Sequence, residues 1–407
     1  MNPGAFFFLL VWRYAGTMFN IALLGLTSLL TDFSSEMILP ILPFFIKSLG
    51  GGGIAIGLIF GVGDAVAAVL KVFSGYIADR TKRYKFLTFV GYTFSTIAKF
   101  GYVVFSRLTA IAAVYPIERI GKGFRDAPRD ALVSESLTPE NRGRGFGIQR
   151  MMDSAGAVLG SVTILIFFLH YGLTFQRIFF VSALIGIAGL MPILFVRVPS
   201  GLHAFKKSVS LAKLTPELRR FIFIATLFSL AAFSYAFLVL QTQASFIGLD
   251  QHRSLELALI IYVVFNCLDA LLSAPAGALS DRIGRKRVVL LGYAAFTLVS
   301  TGFLGLSVLH LAPILNFIVA MILFGVYGAY KALIDASQRA LVSDLSVPEI
   351  RGTALGTFQT LTGLAAIPAG FFAGFLWNIS PTYTFLYGAI LSLAACVLLA
   401  VALRSRA

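Results

Sequence analysis

Residues 122–143 read KGFRDAPRDALVSESLTPENRG, and residues 331–352 read KALIDASQRALVSDLSVPEIRG. At an offset of 209 the rows agree at eleven of 22 positions: Lys, Asp, Ala, the Ala-Leu-Val-Ser run, Pro-Glu, Arg and Gly. A second echo, Gly75–Arg80 (GYIADR) against Gly277–Arg282 (GALSDR), lies at an offset of 202. Chance does not keep this much register, so the chain is read as two homologous halves, an internal repeat that decides the architecture.

The surroundings of the repeat say what solvent the halves sit in. The 407 residues are 58% hydrophobic and 13% charged, with 39 Phe against 18 acidic residues. A soluble chain is ~45–50% apolar and ~25% charged. So little charge cannot wet a 44.0 kDa globule, and a mean hydropathy of +0.88 says the same. A soluble enzyme, a disordered chain and a secreted scaffold are excluded. Both cysteines, Cys267 and Cys396, lie in apolar runs, which excludes a disulfide framework or zinc module. The histidines (His170, His203, His252 and His310) form no HExxH motif, and no phosphate-binding P-loop is present. An enzyme or an ATP-driven pump is therefore not expected, nor is a metal or cofactor. A net charge of +15 suggests nucleic acid in a soluble protein, but here it serves to orient membrane helices instead.

A helix crossing the hydrocarbon needs ~20 mostly apolar residues. Twelve such runs can be marked, from residues 17–39 to residues 383–403. The short run Phe6–Trp12 reads as a lead-in to the first. The expected fold is an all-α integral membrane protein of twelve transmembrane helices in two pseudo-symmetric six-helix bundles. These are residues 1–196 and 219–407, joined by a basic linker at 197–218. Of 33 Lys and Arg, twenty fall in the termini and loops of one side and four (Lys47, Arg107, Arg177 and Arg253) on the other. By the positive-inside rule both termini and the linker are expected in the cytoplasm, with the chain in the cytoplasmic membrane. The remaining nine basic residues lie in the spans, where function is sought.

Parallel repeats place a substrate site between the halves, near the bilayer midplane. With its loop motifs the chain resembles the major facilitator superfamily over nearly its whole length. Gly75-x-x-x-Asp79-Arg80-x-x-Arg83 and Gly277-x-x-x-Asp281-Arg282-x-Gly284-Arg285 are similar to that family's loop signature, with Lys82 where the first copy would carry Gly. Arg119-x-x-x-Gly123 is similar to the arginine motif of its proton-coupled members. Gly147, Gly156 and Gly160 match the fifth-helix antiporter spacing, although Ser161 stands in place of its proline. The resemblance implies a carrier working by alternating access, with the loop residues as a conformational latch. The residues support that role: Asp79 or Asp281 can accept from free N–H groups of a neighbouring helix. Arg80, Arg83, Arg282 and Arg285 can pair with carboxylates across the gap between the halves.

Charge inside the spans is the candidate machinery. Asp32 and Glu36 lie one turn apart on the first span. A carboxylate at depth loses its hydration, which favours the neutral form and suits it to proton exchange. Asp32 leads as the proton-coupling residue, and Glu36 is either its companion or an interfacial group. A buried Arg119 demands a carboxylate, Asp32 or Asp64, with Asp32 the one built into the expected mechanism. Lys122/Asp126 and Lys331/Asp335 are repeat-related pairs four residues apart, readable as self-neutralised ion pairs or as cations facing an anionic substrate. Asp153 and Asp269 add polar points to the expected cavity. Lys71 and Lys99 are read as snorkelling. Gly57-x-x-x-Gly61 and Gly370-x-x-x-Gly374 are small-residue packing faces.

The function expected is secondary transport of a small organic solute, coupled to protons. Export of a drug or metabolite is slightly favoured over import of an organic anion or metal-chelate siderophore. A non-transporting receptor or channel is the remaining alternative. Beyond solute, protons and lipid no partner is expected, and the chain is read as a monomer.

Overall fold

In the structure, a computed structural model, residues 3–137, 142–198, 214–309, 311–347 and 350–404 are described. Most of the expected linker, residues 199–213 with Lys206, Lys207 and Lys213, lies outside them, as does Arg406. The first half consists of α1 (Pro3–Ile38), α2 (Leu42–Ser48), α3 (Gly53–Thr81), α4 (Tyr84–Val104), α5 (Leu108–Glu135), α6 (Arg142–Tyr171) and α7 (Phe175–Leu194). The second consists of α8 (Pro216–Ala231), α9 (Ala236–Ser245), α10 (Gln251–Ile283), α11 (Arg285–Val308), α12 (Pro313–Asp344), α13 (Arg351–Leu364), α14 (Ala366–Ile379) and α15 (Pro381–Arg404).

Twelve membrane-crossing units result, because α1 continues into α2, α8 into α9 and α13 into α14. Among the described residues ten stretches are long and apolar enough to cross a bilayer. The other two units are α4 and α5, whose polar residues face the bundle interior, where charge in a membrane has to be. Large apolar side chains such as Val104, Leu271 and Ile314 point outward instead, a surface suited to lipid.

Two spans are broken where the sequence pattern reads as continuous. Pro368 has no N–H to give and its ring would clash with the carbonyl of Leu364, so α13 ends at that residue. The chain leaves helical conformation again at 232–234, between α8 and α9, which turns Phe233, Ser234 and Tyr235 toward the space between the halves.

The repeat is visible in the packing. Helix α5 packs on α3 and α4 as α12 packs on α10 and α11. Helix α1 packs on α6 and α7 as α8 packs on α13 and α15. The halves meet along two seams, α3 against α13 and α14, and α6 against α10. The first seam is glycine on glycine: a Cβ on Gly57 would overlap the backbone of Gly370, and one on Gly370 the backbone of Gly57. One turn away Asn378 Oδ1 accepts the Gly53 N–H at 2.6 Å, holding the start of α3 to the other half.

Candidate functional site

Between the seams lies a cavity of about 370 Å³, within the range of small-molecule sites. Its first-half wall is built by α5. Successive turns of that helix carry Glu118, Arg119, Lys122 and Arg125 to the cavity and Arg129 beyond it, an unusual load of charge for a membrane helix, and all but Lys122 are answered by a partner.

Arg119 forms an ion pair with Asp64 of α3 and lies 5.8 Å over the Tyr115 ring. Its expected pairing with Asp32 does not occur. Asp32 Oδ1 instead faces Arg125 Nη2 at 3.6 Å. Arg125 is buried, donates to Ser95 Oγ at 3.0 Å and stacks 4.6 Å from the Tyr92 ring centroid. Asp32 and Asp64 thus have one cation each. Arg129 reaches Asp130 at 2.9 Å and Asp153 at 3.7 Å.

The two repeat-related lysines differ. Lys331 pairs with Asp335 at 3.7 Å, the self-neutralised arrangement. Asp126 turns away from Lys122 to Lys71 at 3.4 Å and to Arg125 Nε at 3.9 Å. Lys71 is therefore an internal ion-pair partner and not a snorkelling residue. Among the described residues Lys122 has neither an ion pair nor a hydrogen bond, although it lines the cavity.

Lys99 also departs from expectation. It is wholly buried between α1 and α4, where its ammonium donates to Ser34 Oγ at 2.6 Å and to the Thr31 carbonyl at 3.4 Å. Its face of α4 also carries Ser95, Thr96 and Tyr102, all buried, and this polar stripe was the signal that the lysine turns into the bundle.

The end of the cavity near α2 and α9 is closed by contacts between the halves. Glu36 Oε2 on α1 accepts the Tyr262 hydroxyl at 2.8 Å and the Asn266 amide at 3.4 Å, both from α10. The Tyr235 hydroxyl donates to the Leu39 carbonyl at 3.0 Å. Glu36 is therefore a cavity residue that joins the halves, not an interfacial one. Gly160 explains its place. A Cβ there would meet the Cβ of Glu36 at 2.8 Å, so glycine on α6 lets α1 lie close.

Toward the other end Arg150 of α6 crosses to the second half, 3.5 Å from Asp269, 3.9 Å from Asp335 and 3.3 Å from Ser273 Oγ. Asp153 accepts the Gln149 amide at 3.0 Å beside this crossing. Arg150 and Glu118 are the two charged lining residues that sequence reasoning did not single out. Glu118 accepts the Tyr102 hydroxyl at 2.9 Å and Ser35 Oγ at 3.4 Å. Its signal was its place beside Arg119 in a span.

The loop motifs lie apart from the cavity. Asp79 accepts from the Tyr84 hydroxyl at 2.8 Å, not from a helix N–H. Arg285 binds Asp344 at 2.7 Å, the Ala340 carbonyl at 3.0 Å and Asp281 at 4.0 Å, all within its own half. Among the described residues Arg80, Arg83 and Arg282 make no ion pair, so the expected pairing across the gap is absent in this arrangement. Gly75 and Gly277 begin the same turns of α3 and α10. The chain turns through left-handed conformations at Lys82 (φ 58°) and Gly284 (φ 91°), which is why the motif favours glycine there.

The model for the Major Facilitator Superfamily matches residues 24–329 and, in a second match, 222–407. An uncharacterized MFS-type transporter of Methanocaldococcus jannaschii is 41% identical over 392 residues, covering 93% of this chain and 94% of that one. Among solved structures the nucleoside transporter NupG superimposes with a TM-score of 0.79 at 17% identity, over 94% of this chain and 99% of its own. A peptide transporter of the POT family, in complex with sulfate, gives a TM-score of 0.72 at 15% identity, over 94% and 93%. At such identities the superpositions speak for the fold.

Proposed function

The chain belongs to the major facilitator superfamily, and on that premise we propose that it is a secondary active transporter of a small organic solute, coupled to protons and working by alternating access. It is a multi-pass membrane protein. We place it in the cytoplasmic membrane as a monomer, with both termini in the cytoplasm.

The observation that carries the coupling is Glu36, a cavity carboxyl bonded across the halves to Tyr262 and Asn266. Both donors meet Oε2, and the ionised carboxylate accepts them as charge-assisted bonds, whereas the protonated acid accepts them only as weaker neutral ones. Proton binding thus acts differently on the closed and open arrangements of that end, the differential interaction any switch requires. Asp32 and Asp64, each facing an arginine, keep the charge of the same wall balanced, and Arg119 is the fixed partner of the second. Export of a drug or metabolite is the first reading of direction, supported by the cavity acids and by the glycines that seat α6 on α1. Import of an organic anion is the second, supported by Lys122.

Purified chain in proteoliposomes, offered labelled carboxylates, nucleosides, amino acids and cationic dyes under an imposed pH gradient, tests this. At least one solute should accumulate, and a protonophore should abolish the accumulation. Glu36→Gln should keep solute exchange but lose the response to the gradient. Gradient-driven accumulation retained by Glu36→Gln would overturn the coupling role, and no accumulation of any solute would overturn transport.

A further inference from the structure

The cavity walls are chemically unlike each other. The first half contributes nine of the twelve charged lining residues. The second contributes a continuous aromatic face of Tyr235, Tyr262, Phe265, Phe296, Tyr327 and Tyr330. These rings are already in mutual contact: Tyr235 and Tyr262 are 5.6 Å apart, Phe265 and Tyr327 5.1 Å, Tyr327 and Tyr330 5.5 Å, and Phe296 and Tyr330 5.0 Å. Apart from Tyr235 these rings are at most 7% exposed, so the wall is preformed and offers a bound apolar body only a small part of each ring.

Opposite it, almost every charge has its partner. Arg119 faces Asp64, Arg125 faces Asp32, Arg150 faces Asp269, and Lys331 faces Asp335. Asp153 faces Arg129. The two lining acids without a cation, Glu36 and Glu118, are each held by a tyrosine hydroxyl and a second donor. Lys122 is left: an ammonium with three donors, in the cavity, with no ion pair or hydrogen bond among the described residues. Its repeat counterpart Lys331 is neutralised by the residue four positions on, and the same carboxylate in the first half, Asp126, has been drawn off by Lys71. Asp126 and Asp32 act on Lys122 only from beyond ion-pair distance, so its half-buried ammonium keeps its donors open to a ligand.

We propose that the transported solute is an amphipathic organic anion, an aromatic or flat apolar body bearing a carboxylate or phosphate. Its anionic group binds the Lys122 ammonium and its body lies on the aromatic face of the second half. This inference rests on the transporter reading of the same cavity and names the substrate class for it. Each lining acid already faces a cation or two hydrogen-bond donors, but Asp269 Oδ1 has no hydrogen-bond partner, so a cationic solute is the competitor the probes must exclude.

Three isosteric probes separate the alternatives by calorimetric titration into the detergent-purified full chain: 1-naphthoate, 1-naphthamide and 1-naphthylmethylammonium. A charge-assisted contact exceeds its neutral equivalent enough that 1-naphthoate should bind about tenfold tighter than the amide or the cation. Lys122→Gln should bring 1-naphthoate down to the level of the amide while leaving the amide unchanged, which also reports that the cavity is intact. Lys122→Arg should restore the preference. Phe265→Ala should weaken all three probes alike. A cation bound as tightly as the carboxylate, a preference surviving in Lys122→Gln, or no binding of any probe overturns the assignment. Replacing the carboxylate by 1-naphthyl phosphate distinguishes the two anionic groups within the class. Binding of 1-naphthoate without gradient-driven flux of any solute would leave the anion site at Lys122 standing and remove the transporter reading, and with it the claim that the anion is carried. Flux without 1-naphthoate binding would do the reverse.

Discussion

Helices α5 and α12 are copies of one another, and they have been put to different uses. In register, α5 carries Arg119, Lys122, Arg125 and Arg129 where α12 carries Gly328, Lys331, Ile334 and Gln338. Three of four cations are confined to the first copy, yet both helices pack on the same two neighbours within their halves. The position of the helix is thus set by what the copies share. Ion chemistry has been loaded onto one of them, and the other supplies Tyr327 and Tyr330 to the aromatic face. Pseudo-symmetry in the backbone coexists with a cavity that is charged on one side and aromatic on the other.

The harshest way to break this comparison is to give α5 the residue of α12. Arg125→Ile copies Ile334, fills the space with an apolar side chain and leaves Asp32 without its cation. Removing one partner of a buried pair typically costs about 3–5 kcal/mol. Thermal or denaturant unfolding in detergent should show a loss of that order, reduced because Asp32 retains some access to the cavity. Combining Arg125→Ile with Asp32→Asn should recover part of it. An Arg125→Ile chain as stable as the original would mean that the charge of α5 does not hold the wall together.

The same comparison explains what could and could not be read without coordinates. Twelve spans and two halves were legible because hydropathy and an offset repeat are properties of the chain alone. Helix α5 was legible as a span from the apolar residues between its charges. The partner choices were not legible. Counting along a helix yields depth, so Asp32 and Asp64 both qualified for Arg119, but the direction a side chain leaves the axis depends on how whole helices pack. Lys99 was misread for another reason, because Ser95, Thr96 and Tyr102 on its own face were not weighed. The bond from Tyr262 to Glu36 joins residues far apart in sequence and belongs to the meeting of the halves. The glycine faces were legible as packing surfaces, but not that Gly57 and Gly370 are each other's partners.

That seam sharpens the comparison, since neither α5 nor α12 takes part in it. Gly370→Ala would place a methyl group in the backbone of Gly57. Overpacking of this kind costs typically ~1–3 kcal/mol. The variant should therefore melt earlier than the parent, by less than Arg125→Ile. Because the overlap lies between the halves, the probe affinities should change as well. Unchanged melting and unchanged binding together would show that the halves do not depend on this contact.

The smallest effect comes from the two loop copies, where one backbone task is given to different residues. Gly284 adopts φ 91° with ψ 139°, a region side chains avoid, while its counterpart Lys82 adopts φ 58° with ψ 15°. Left-handed conformation costs a residue with a Cβ roughly 1–2 kcal/mol. Gly284→Ala should lower stability by an amount of that order. Lys82→Gly relieves the strain but gives the unfolded chain more freedom, so its net gain should stay below about 1 kcal/mol. Melting curves of the two single variants should therefore move in opposite directions, with Gly284→Ala the larger. If Lys82→Gly instead destabilises clearly, the lysine side chain itself holds the loop, and the first copy has replaced backbone freedom with a contact of its own.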